Sequence, residues 1–352
     1  TSFCVKNSSY KGDIVKEVSD ECHKQGMDFG VYLSPWDMHD ERYGTDAYND
    51  YFCNQLTELL TNYGEIFEVW FDGAKGSNAK KFEYDWQRYY DLIRKLQPKA
   101  NIAICGPDIR WVGNEGGKSR KSEYSVVPCA LREADRIMAL SQQDENQASS
   151  LQKYNQMDED LGSRKILEKN AYICWFPAEV DVSIRKGWFF HEKDNRNSKS
   201  AKKLFKIYLN SVGNNCTLLL NIPPTPQGEI HKKDAKNLKK LGSMIKNITA
   251  NPIVYNELGE LTKDNGVLDF DFNDTRKVKY VVLQEDITKS QRVELFDLYI
   301  KKANGKYKRV YKGTVIGSKK IINLKGKKAK GIRFVIRQSR SNPVIKSIGI
   351  YE

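Results

Sequence analysis

The chain has little of what builds metal or redox centres. It holds 4 His and 7 Cys in 352 residues. None of Cys4, Cys22, Cys53, Cys105, Cys129, Cys174 and Cys216 stands near another in a metal-type spacing. Several lie in apolar runs, as at Ile104-Cys105 and Ile173-Cys174, and read as buried thiols that pack as small hydrophobes. No phosphate-cradling Gly loop and no dinucleotide fingerprint occur, so neither a nucleotide nor a metal cofactor is expected. No run of about 18 apolar residues is present, and no membrane span is expected. The first residues, from Thr1 on, do not read as a signal peptide.

What is present is a globular composition, 39% hydrophobic and 29% charged, with length enough for two domains. The net charge of +13 invites a nucleic-acid reading, but its distribution argues against one for most of the chain. Of 58 Lys+Arg and 45 Asp+Glu, residues 261–352 hold 22 and 9, which leaves 36 of each in the first 260. All the excess belongs to the carboxyl-terminal part, and the shift marks a domain boundary.

Residues 12–24 read as a helix with Ile14, Val15, Val18 and Cys22 on one face, closed by Gly26. Phe29–Leu33 reads as a strand. The cycle repeats with a helix carrying Tyr48, Phe52, Leu56 and Leu60, closed by Gly64, and a strand over Val69–Asp72. A third helix carries Trp86, Tyr89, Ile93 and Leu96, and a strand follows at Ile102–Cys105. Further strands are expected at Ser125–Val127, Tyr172–Trp175 and Thr217–Asn221, and helices at 201–212 and 234–248. Such alternation means parallel strands with helices outside. Six strands fall short of the eight in a closed (β/α)8 barrel, so the reading is an α/β barrel whose amino-terminal strands are missing, with an open doubly wound sheet as the alternative. After about residue 255 the pattern changes to alternation, as in Leu268-Asp269-Phe270-Asp271-Phe272, with turn signals at Asn265-Gly266 and Asn304-Gly305. The expected organisation is a barrel domain over 1–255 and an all-β sandwich over 256–352, whose lysines, such as Lys325, Lys327, Lys328 and Lys330, guard turns and edges.

Asp72 ends the buried strand Val69–Asp72, and Gly73 turns the chain. A carboxylate there lies where barrel enzymes keep their reactive groups, although an Asp-Gly pair after a strand is by itself a turn. Five stretches stand around it in order: Phe29-Gly30-Val31-Tyr32-Leu33-Ser34-Pro35-Trp36-Asp37, Val69-Trp70-Phe71-Asp72-Gly73-Ala74, Arg110-Trp111-Val112-Gly113-Asn114-Glu115, Trp175-Phe176-Pro177-Ala178-Glu179-Val180-Asp181-Val182-Ser183-Ile184-Arg185-Lys186-Gly187-Trp188-Phe189, and Leu218-Leu219-Leu220-Asn221-Ile222-Pro223-Pro224. In these the chain resembles the α-L-fucosidases of glycoside hydrolase family 29 over most of residues 1–250. Trp111 to Glu115 is similar to the α-1,3/1,4-fucosidase branch.

The resemblance implies a retaining glycosidase that removes terminal α-linked L-fucose and needs no cofactor. Asp72 matches the family nucleophile and Glu115 the acid/base residue of that branch. Retention wants two carboxyl groups about 5–5.5 Å apart, with the acid's pKa raised by repulsion and burial. Glu179 is the rival acid, or else a partner for Arg185. Arg185 is read alternatively as a fork for sugar hydroxyls. Trp36, Trp70, Trp175 and Trp188 are candidates to stack on the sugar or enclose its methyl group, or are core. Tyr32 is a packing residue or a hydroxyl ligand. The family's early histidine-rich stretch has no counterpart here, and neither His39 nor His191 reproduces it. The implied partner is a fucosylated oligosaccharide or glycoconjugate, with no nucleic acid, and the implied location is secreted or periplasmic. The alternative function is a catalytically silent fucose- or glycan-binding protein.

Overall fold

The computed structural model describes residues 2–75, 82–134, 137, 138, 158–262 and 266–352. The chain divides into two compact units: Thr1–Gly113 with Cys129–Asn155, and Asn114–Pro128 with Gln156–Glu352.

In the first unit, α1 (Ile14–Lys24) starts where Asp13 accepts a hydrogen bond from the Lys16 amide at 3.0 Å. It ends before Gly26, whose φ of +65° provides the left-handed cap. β1 (Gly30–Tyr32), β2 (Glu68–Phe71) and β3 (Asn101–Ile104) form a parallel sheet in the order β1-β2-β3, with Val31 opposite Val69 and Val69 opposite Ile102. α2 (Ala47–Asn62) and α3 (Trp86–Leu96) are its crossovers, and a two-residue strand, β4 (Arg110–Trp111), comes next along the chain. The alternation of a strand then sorts the residues of β2. Val69 and Phe71 are fully buried among the helices, where Phe71 meets Phe52 at 5.8 Å between ring centroids. Glu68 and Trp70 take the other face, half-buried. The three expected strands and three expected helices of this region are all present.

In the second unit, β5 (Val126–Pro128) and β6 (Ile173–Trp175) pair with each other in antiparallel fashion. This corrects the expectation of two further parallel strands: three residues of strand carry no mark of their pairing direction. β7 (Ala178–Ser183) and β8 (Cys216–Asn221) do pair in parallel, and α4 (Ala201–Ser211) connects them. β7 was not anticipated as a strand. It is buried on both faces, so Glu179, Asp181 and Ser183 lie as covered as Val180 and Val182. α5 (Lys232–Lys246) follows.

The alternating segments after residue 251 form one six-stranded antiparallel sheet among the described residues, in the order β12-β11-β13-β10-β14-β9. These are β9 (Pro252–Glu260), β10 (Val267–Glu285), β11 (Val293–Lys301), β12 (Tyr307–Gly313), β13 (Lys320–Ser339) and β14 (Val344–Tyr351). Val267–Asp271 of β10 pairs with 331–335 of β13, and Tyr280–Leu283 pairs with 320–323, with register shifts between. Those shifts let two long strands serve two halves of the sheet. One hydrophobic cluster takes Phe270, Phe296 and Phe334 from one half and Val281, Ile322 and Ile348 from the other. The Asn304-Gly305 turn has Gly305 at φ +79°, while the Asn265 turn falls outside the described residues. Among the described residues no helix is long and apolar enough to cross a membrane.

Candidate active site

Each unit carries one of the two carboxylates singled out by the sequence. In the first, the parallel register sets Tyr32 beside Trp70, and the rings stack at 5.4 Å with 27° between planes. Two residues beyond Trp70, on the same face, Asp72 leaves the carboxyl end of β2. Its Oδ2 accepts a 2.7 Å hydrogen bond from the Tyr32 hydroxyl, and its Oδ1 accepts from the Ala74 amide at 3.1 Å. Asp72 is half-buried, so the carboxylate is anchored at both oxygens without being sealed off. Desolvation of the phenol, reinforced by its bond to Asp72, pushes the Tyr32 pKa far up, and the tyrosine acts as a donor throughout the ordinary pH range. The Tyr32 ring packs on Trp70 while its hydroxyl serves the Asp72 carboxylate, a contact that neither sequence reading of Tyr32 contained. Trp36 stands on the loop after β1, 37% exposed.

Glu68 shares this face with Trp70 and Asp72. Burial raises its carboxyl pKa to about 7 from 4.5. The folded chain therefore holds a proton that the unfolded chain releases from about pH 4.5 upward. Stability falls as pH rises through that window and levels off above about 7. Glu68→Gln is expected to remove the loss. Thermal melts of variant and parent should coincide near pH 4.5 and separate by neutrality, with the variant on the order of 2 kcal/mol more stable.

In the second unit, the Asn114–Lys118 turn presents Glu115 to solvent. The Asn114 side chain accepts from the Gly116 amide at 3.0 Å and donates to the Lys118 carbonyl at 2.9 Å. Gly117, at φ +69°, donates to the Asp181 carbonyl of β7 at 3.3 Å, and a Cβ there would press on Ile207 and Val182 at 3.0 and 3.3 Å. The loop after β7 returns to the same place. Ser183 and Asn221, opposite one another at the ends of β7 and β8, bond to the Gly187 and Trp188 carbonyls at 2.7 and 2.8 Å. That fixes Trp188, whose indole N–H donates to Glu115 Oε2 at 3.2 Å. Trp188 thus touches the candidate acid itself, a contact that its sequence reading as a stacking ring did not contain.

Arg185 requires a correction. Its side chain is wholly buried, and its Nε donates to Asp234 Oδ2 at 2.7 Å in an equally buried ion pair. Nη1 donates to Asn195 Oδ1 at 2.9 Å, and the guanidinium lies 4.5 Å from the Phe190 ring. It neither offers a fork to a sugar nor pairs with Glu179; it anchors the loop after β7 to the start of α5. Glu179 is 2% exposed within β7, and Trp175 is 37% exposed in β6 opposite Val126. Neither Asp234 nor Asn195 had been anticipated, since nothing at either position marks it as the partner of a distant arginine.

A model of the α-L-fucosidase family matches residues 1–249. This chain belongs to the α-L-fucosidase family. Alpha-L-fucosidase 1 of Arabidopsis thaliana is 33% identical across all of this chain and 72% of its own length. A solved structure from Bacteroides ovatus ATCC 8483 is 44% identical with a TM-score of 0.90, and covers the whole chain. A GH29 fucosidase of Ruminococcus gnavus, solved with fucose, is 27% identical with a TM-score of 0.82 over 78% of its chain. This fucosidase-family chain spans 60% of the length of the Bacteroides ovatus structure.

Proposed function

We propose that the protein is a retaining α-L-fucosidase that cleaves terminal α-1,3/1,4-linked fucose from oligosaccharides or glycoconjugates, secreted or periplasmic, where such glycans are displayed. The proposed frame is a (β/α)8-type catalytic barrel within 1–255 and a β-sandwich over 256–352. Membership of the family supports the substrate class. The observation that carries the mechanism is Asp72 at the end of β2, held by the Tyr32 hydroxyl at 2.7 Å and the Ala74 amide.

In the first step Asp72 attacks the anomeric carbon while protonated Glu115 gives its proton to the departing oxygen, forming a fucosyl ester on Asp72. In the second, Glu115 as carboxylate takes a proton from water, which attacks the same carbon and frees Asp72. Tyr32 and Ala74 hold the nucleophile's oxygens, and Trp188 holds the acid. The linkage preference rests on the Trp111–Glu115 stretch. Proton NMR during hydrolysis tests the reading: fucose should appear first as the α anomer, and α-1,3/1,4-linked trisaccharides should be cleaved faster than α-1,2-linked ones. First appearance of the β anomer defeats retention, and no release from any fucoside defeats the activity.

A further inference from the structure

Residues Asn114–Pro128, which carry Glu115, belong to the same compact unit as the carboxyl-terminal sheet, and a buried polar cluster joins them. Lys320, the first residue of β13, is 2% exposed. Its ammonium donates to the Lys121 carbonyl at 3.0 Å and to Asn214 Oδ1 at 2.7 Å. Asn215, at φ +69°, donates through its amide to the Glu123 carbonyl at 2.8 Å and Ser125 Oγ at 3.1 Å. Its own Oδ1 accepts from the Ser318 amide at 2.8 Å. Gln291 Oε1 accepts from the Ser125 amide at 2.9 Å, and the Ser122 and Thr314 hydroxyls meet.

The order along the segment matters. Gly117 is tied to β7, the Ser119 hydroxyl bonds to the Asn210 carbonyl of α4, and Lys121, Glu123 and Ser125 are tied to the carboxyl-terminal sheet or to the Asn215 turn. Glu115 therefore projects from a stretch pinned a few residues downstream. A buried ammonium is costly, and burial pushes this one down to about 8. Two hydrogen-bond acceptors at good distance offset part of that cost and give the contact a fixed direction.

We propose that Lys320 is a positioning residue for Glu115: through the Lys121 carbonyl, the β-module sets the carboxyl group where it can protonate the leaving oxygen. This rests on the reading of Glu115 as the acid/base. It gives the β-module a part in the reaction rather than a separate binding task.

The test compares kcat/KM for fucosides whose leaving groups differ in their need of a proton. Lys320→Met should lower kcat/KM about tenfold or more on methyl or oligosaccharide fucosides and less than about threefold on a dinitrophenyl fucoside. Thr314→Val removes an outer contact to the same segment. It should show the same dependence more weakly, with an unchanged melting temperature. A folded Lys320→Met enzyme that loses equally on all leaving groups, or loses nothing, overturns the proposal. If Lys320→Met does not fold, Thr314→Val decides: a uniform or absent change overturns it. Parent protein inert on every fucoside would instead defeat the activity reading, and that result requires no variant.

Discussion

Asp72→Asn is expected to lower turnover of aryl and oligosaccharide fucosides by roughly 10⁴-fold or more, with the fold intact. The amide carries no negative charge and cannot form the fucosyl ester, so the proposed two-step route would be closed. The expected selectivity of the damage comes from the surroundings of the side chain. Asn can still accept from the Tyr32 hydroxyl and the Ala74 amide through its one carbonyl oxygen, though not from both at the present 2.7 and 3.1 Å. Val69 and Phe71, which anchor β2 in the core, point to the opposite face and are untouched. The melting temperature should therefore move little, and fucose binding, read by calorimetry or by protection against unfolding, should persist. Asp72→Ala should be as inactive. Turnover of Asp72→Asn within a few fold of the parent, in protein cleared of deamidated product by mass spectrometry, would remove Asp72 from the chemistry.

The parts of the fold that could be read from sequence are those where local chemistry and burial agree. Gly26 and Gly64, at φ +65° and +78°, follow α1 and α2 where the sequence places them, because caps act within a few residues. β2 was legible because Val69-Trp70-Phe71 is a short apolar run closed by Asp72-Gly73, and the run's end located Asp72. β7 alternates polar and apolar over Glu179-Val180-Asp181-Val182-Ser183. Its polar members are buried too, which the usual inside–outside rule does not anticipate. The period-two pattern itself was the available signal. Contacts that depend on pairing were hidden. Tyr32 meets Asp72 only because β1 and β2 are parallel in one particular register, and Asp234 meets Arg185 across 49 residues. Lys320 follows Lys319 in a basic segment, and nothing in their order separates a buried ammonium from a solvated one.

Glu115→Gln should leave a different signature, and the difference follows from the two jobs that the proposed mechanism gives one carboxyl group. In the forming step it supplies a proton, which an alkoxide-like leaving group needs and a dinitrophenolate does not. Loss of kcat/KM should therefore reach about 10²–10⁴-fold on oligosaccharides and remain small on activated aryl fucosides. In the second step it acts as a base toward water. Without it the fucosyl ester on Asp72 accumulates, so kcat falls on every substrate while KM falls with it. A small anion such as azide needs no base. It should restore turnover of the activated substrate and give a fucosyl azide of retained α configuration, detectable by NMR. The Trp188 indole, 3.2 Å from Glu115 Oε2, can donate equally to the glutamine carbonyl oxygen, so the loop after β7 keeps its place and the loss reports the proton alone. Equal loss on activated and unactivated fucosides, with no azide product, would take the acid/base role away from Glu115 and return Glu179, buried in β7, as the carboxylate to test.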